Sequence, residues 1–183
     1  MSGAHTKRGG LDWRLKALGW LVALVTVLSL IALFTVGANG PADPSLGPLA
    51  GFGQTAIRIV PGGSGSAGRF CAMLAADEQQ RAKGLMGQRD LAGFDAMVFR
   101  FDADTNEAFY MRDVPVGLSI AWFRADGRFV SATDMAPCPD RDGCPTYGPA
   151  EPYRFAVEVL KGGLGHLGIR QGSVLTVAGD CPT

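Results

Sequence analysis

The hydrophobic pattern divides the chain into two unlike parts. Residues 17–38 (ALGWLVALVTVLSLIALFTVGA) carry no charge and lack the polar stripe of a half-buried helix. As a helix this run is roughly 33 Å long, enough to cross a hydrocarbon core of about 30 Å. Beyond residue 54 the pattern changes to short alternating or β-branched runs. Residues 55–60 (TAIRIV) and 69–75 (RFCAMLA) predict two strands joined by the loop PGGSGSAG, a hairpin connection. Further strands are predicted at 97–101, 107–112, 118–124, 128–134, 155–160 and 173–177, with Ala125-Asp126-Gly127 as a hairpin turn.

Two short helices interrupt the strands. At 77–83 (DEQQRAK), Asp77 caps open N–H groups, Gln80 reaches back, and Gly84 takes the positive-φ position that ends the turn. A second short helix is predicted at 162–167. Strands well outnumber helices, so the expected fold is mainly β with short helices. It is an antiparallel β-sandwich or partly open barrel, preceded by one N-terminal transmembrane helix.

The flanks orient the apolar run. Lys7, Arg8, Arg14 and Lys16 precede it and the next basic residue is Arg58, which keeps the N-terminus cytoplasmic. Trp13 and Trp20 suit the interface on that side. Val36-Gly37-Ala38 also offers a signal-peptidase site, but the run exceeds the usual signal core of about 7–15 residues, which favours an uncleaved anchor. The organisation read here is a cytoplasmic basic segment at 1–16, an anchor or signal segment at 17–38, a Pro/Gly tether at 39–54 and an exported β-rich domain at 55–183. Its place is then the inner membrane, single-pass, with the C-terminal domain periplasmic; cleavage would release that domain in soluble form. The membrane is the one partner named by this reading.

Charge removes one function class. Seventeen basic residues balance seventeen acidic ones, and no basic block gives a footprint for nucleic acid. Leaving out the first 38 residues puts the remainder at −3, an ordinary value.

Four cysteines in an exported domain favour disulfides. Three pairings are possible. Cys138 and Cys144 lie six apart in a proline-rich loop that needs tying down, which leaves Cys71 with Cys181. Zinc is disfavoured because no C-x-x-C pair occurs and His166 is the one histidine of the exported part. Redox catalysis lacks the same motif.

Residues 71–177 resemble the domain-of-unknown-function 192 family of small exported or membrane-tethered domains. The matching motifs are Arg81-x-x-Gly84-Leu85-Met86, then Phe109-Tyr110-Met111-Arg112, then Pro115-x-x-Leu118-x-Ile120 with Phe123 and Gly127. Pro137-Cys138, Cys144-Pro145-Thr146-Tyr147 and Glu158 with Gly162 and Gly168 complete the order. The resemblance implies a β-sandwich-like fold and no assigned reaction. It also implies Asn at the position of Asp113 and Asp at that of Ser119, two departures that would alter any activity those groups carried.

Candidate chemistry is sparse. His166 sits in a glycine-rich turn, no Gly-x-Ser-x-Gly elbow occurs, and Asp102-x-Asp104-x-Asn106 lacks the glycine of a calcium loop. No cofactor or metal is expected. The richer cluster is Tyr110, Met111, Arg112 and Tyr147, with Arg81. Strand alternation sets Tyr110 and Arg112 on one face and Phe109 and Met111 on the other. One face is core; the other lines a cleft in which Arg112 offers a planar fork to an anion, or else pairs with Asp113, Asp134 or Glu158. The function expected is a non-enzymatic module that binds a small ligand or a protein partner, with Arg81, Tyr110, Met111, Arg112 and Tyr147 as contact residues. The alternative is an extracytoplasmic, possibly hydrolytic enzyme using carboxylates or Arg112 in that cleft.

Overall fold

In the computed structural model, residues 51–139 and 143–181 are described. The apolar run at 17–38 and most of the tether lie outside them. Among the described residues no helix is long and apolar enough to cross a membrane.

In chain order the elements are β1 (Gly53–Val60), β2 (Gly68–Ala75), α1 (Glu78–Lys83), β3 (Ala96–Thr105), β4 (Phe109–Tyr110), β5 (Leu118–Phe123) and β6 (Phe129–Met135). Then follow β7 (Thr146–Tyr147), β8 (Tyr153–Leu160), one 3-10 turn at Gly163–Gly165 and β9 (Val174–Val177). Seven strands form one sheet in the order β6-β5-β8-β3-β2-β1-β9. All its neighbours pair antiparallel except β2 with β3.

This sheet curls until its outer strands touch. Phe129 N–H donates to Ser173 C=O (3.0 Å) and Leu175 N–H to Gly127 C=O (2.8 Å), so β6 and β9 meet at one end. The result is a curled sheet rather than a sandwich, because the second sheet is only the two-residue ribbon β4–β7.

Alternation along the strands sends side chains to two cores. Ile57, Ile59, Ala96, Val98, Ala121, Phe123, Val157 and Leu175 form the first, to which all seven strands contribute, so it fills the inside of the curl. Met97, Phe99, Phe101, Leu118, Ile120, Trp122 and Ala156 form the second on the outer face, covered by Leu85, Met111, Val114 and Cys138. Burial on both faces explains why β5 reads LSIAWF with every residue buried and no polar alternation.

Local signals are realised closely. Asp77 Oδ1 accepts from Gln80 N–H (2.8 Å) while Gln80 Oε1 accepts from Asp77 N–H (3.3 Å), and Gly84 ends α1 at φ +44°. Gly127 turns β5 into β6 at φ +80°. Both expected disulfides are present, Cys71–Cys181 and Cys138–Cys144.

Three expectations need correction. The strand predicted at 107–112 shrinks to β4, because Asp113 adopts φ +52° and the chain at Arg112 and Val114 turns to bridge Cys138. The helix predicted at 162–167 is one 3-10 turn, as four glycines between 162 and 168 disfavour α-helix. The proline-rich cysteine loop, for which no strand is predicted above, leads into β7.

Candidate ligand cavity

α1 and the turn after it lie over the outer face of β3, and residues 107–114 pass beside them. Between these layers is a cavity of about 480 Å³, within the usual range for small-molecule sites. Its sheet side is Phe99 and Phe101 of β3, Leu118 of β5, and Tyr153 and Glu158 of β8. The opposite wall is Arg81 to Met86, and Glu107 to Met111 close the side.

The polar groups of this cavity differ in how they are satisfied. The Arg81 guanidinium donates to the carbonyls of Ala76 (2.7 Å) and Arg100 (3.1 Å) and lies 4.7 Å over the Phe101 ring. Tyr153, fully buried, donates its hydroxyl proton to the Glu107 carbonyl (2.9 Å). Burial, and then the Glu107 charge, push its ionisation well above the usual range. Phe109 meets the Phe99 ring edge-on at 4.9 Å.

Glu158 is the exception. It is 5% exposed and sits opposite Met97 on one side and Ile120 on the other. No hydrogen bond or ion pair reaches its carboxyl among the described residues, and burial alone pushes its pKa up to about 8. It is therefore protonated at neutral pH, able to donate one hydrogen bond or, on losing the proton, to hold a cation.

The structure gathers part of the expected site. Arg81, Tyr110 and Met111 line the cavity; Arg112 and Tyr147 are not among its lining residues. The alternation expected for this segment holds, with Met111 in the core and Tyr110 44% exposed. Tyr147 pairs with Phe109 in the ribbon and its hydroxyl accepts from Ala136 N–H (3.1 Å), so it braces the wall from outside. Asp134, considered as an Arg112 partner, accepts from Ser119 Oγ (2.6 Å) and faces Lys161 at 3.8 Å. The departures at 113 and 119 are structural. Asp113 holds a left-handed conformation that Asn and Asp both accept, its carbonyl taking Gly87 N–H at 2.7 Å. Ser119 also accepts from Gly162 N–H (2.9 Å), knotting β5 to the turn after β8.

Glu158, Tyr153 and the two phenylalanines of β3 were not read as a site from sequence. The available signal was a single acid inside the apolar run of residues 155–160.

Comparison with known proteins agrees on the fold. The family model of DUF192, described as uncharacterized ACR, matches residues 61–177. No curated protein matches the chain. A solved structure from Sinorhizobium meliloti 1021, described as a candidate transcription regulator, shares 23% identity over 69% of this chain and 95% of its own, at a TM-score of 0.58. A protein of unknown function from Novosphingobium aromaticivorans DSM 12444 shares 24% identity over 74% of this chain and 94% of its own, also at 0.58. At such identity the likeness is one of fold.

Proposed function

The chain belongs to the domain-of-unknown-function 192 family, and we propose that it is a membrane-tethered, extracytoplasmic module that binds a small ligand with an apolar body. The observation that carries the binding reading is the cavity of about 480 Å³ with an unpartnered carboxyl at its apolar floor. Aromatic and methionine side chains supply the body's contacts, and Arg81, Tyr110 and Met111 are the contact residues retained from the sequence.

2-Phenylethanol serves as a neutral probe. Added to the full chain in detergent with methyl-labelled methionine, it is expected to shift the Met86 and Met111 methyl resonances saturably. Ala108→Trp, which fills the space from the exposed side, should abolish the shifts. Shifts that are absent, or unchanged in that variant, refute a binding cavity.

The tether rests on the uncharged run at 17–38 and the four basic residues before it. Protease added to intact spheroplasts is expected to degrade the β-rich domain, or the domain to appear in the periplasmic fraction if the run is cleaved. A domain protected until the cells are lysed would overturn the assigned location.

A further inference from the structure

We infer that the cavity is built for a ligand carrying an organic ammonium group, received by Glu158 on the floor between Met97 and Ile120; this rests on the ligand-binding reading above. A carboxyl on the apolar face of a sheet is costly unless something pairs with it. Leucine or methionine would fill the same position without that cost. Glu158 lies almost wholly inside, lines the cavity, and has no partner among the described residues. A ligand in the cavity would supply the partner that the described residues do not.

Among the described residues, the cations that line the cavity are engaged elsewhere. Arg81 is bound to two backbone carbonyls and the Phe101 ring, and Lys83 lies 5.5 Å over the Phe52 ring. An anionic ligand would find no counter-charge in Glu158 and would meet repulsion from Glu78 and Glu107, which also line the cavity. A cation instead meets favourable groups at Glu158 and at the aromatic rings, while Arg81 and Lys83 on the α1 wall keep their own partners. Phe99, Phe109, Tyr110 and Tyr153 offer ring electrons, and the carboxyl supplies the counter-charge. The volume exceeds that of an ammonium head, so an aryl or alkyl body occupies the rest.

The binding step balances as a proton exchange. The Glu158 carboxylic acid loses its proton to solvent, and its carboxylate pairs with the arriving ammonium, which keeps all its own hydrogens. Other titratable or charged groups facing the same space are Glu78, Arg81 and Lys83 around α1, Glu107 and Tyr110 beside β4, and Tyr153 on β8. The cavity residues of β3 and β5 are uncharged.

2-Phenylethylamine and 2-phenylethanol, matched in size, separate the possibilities on the full chain in detergent. The amine is expected to bind at least tenfold more tightly than the alcohol at pH 8.5. Its affinity should rise about tenfold per pH unit between pH 6 and 7.5, then level off, with about one proton released per amine at pH 6.5. Glu158→Gln, of nearly the same shape, should remove both the proton release and the amine's advantage. An amine no tighter than the alcohol, or an advantage that survives Glu158→Gln, overturns the ammonium assignment while leaving the cavity. If neither compound shifts the Met86 and Met111 methyls, the binding reading falls and the assignment with it.

Discussion

Replacing Cys71 and Cys181 together by alanine is expected to lower the stability of the β-rich domain by about 5 kcal/mol. The bridge closes a loop of sequence separation 110, so it spans nearly the whole described fold. Chain-entropy reasoning assigns such a loop roughly twice the effect of the six-residue Cys138–Cys144 loop. The bridge also fixes the last residues against the sheet, where Asp180 C=O accepts from Arg69 (2.7 Å) and Ala56 N–H donates to Gly179 C=O (3.0 Å). Thermal unfolding of the double variant should show a midpoint about 15 °C lower. A midpoint within a few degrees of the parent would mean that the bridge constrains little.

Glu158→Gln is expected to change the pH dependence of stability as strongly. The folded protein holds the Glu158 proton up to about pH 8, whereas the unfolded chain releases it near the ordinary 4.5. Between those values the folded state carries one more proton, so stability declines as pH rises, by roughly 1.4 kcal/mol per unit. The full contribution is present below pH 4.5 and is lost above pH 8, a total of roughly 5 kcal/mol. Glutamine has no proton to lose, so the variant should match the parent near pH 4.5 and exceed it by several kcal/mol at pH 8.5. Denaturant titrations across that range decide the matter. Parallel curves for the two proteins would show that Glu158 is not held neutral.

What could be read from the sequence follows the range of the interactions. The α1 cap needs only Asp77, Gln80 and Gly84, and the β5–β6 turn only Asp126 and Gly127; both were legible because each signal lies within a few residues. The short disulfide was legible for the same reason, and the long one followed by exclusion. β7 was hidden because Thr146 and Tyr147 pair with residues 36 and 38 positions earlier, and no local pattern marks a two-residue strand among prolines.

The candidate site was less legible than the fold. Arg81, Tyr110 and Met111 were found through their motifs, but Arg112 was favoured for its charge, while the chain leaves β4 after Tyr110 and bridges Cys138 at Arg112, outside the cavity lining. Glu158 entered only as a motif residue and a possible Arg112 partner, because nothing local shows which faces of a strand are covered. Here β8 is covered on both sides, so its polar position points inward.

The meeting of β6 with β9 has a consequence for crowding. An open sheet leaves unpaired amides along its rims, and neighbouring molecules can add strands there. At this junction the rims answer each other, and glycine at 127 is what permits it, since a Cβ there would collide with the Leu175 carbonyl. Copies packed side by side at high local density then find no template at that end for fibre growth.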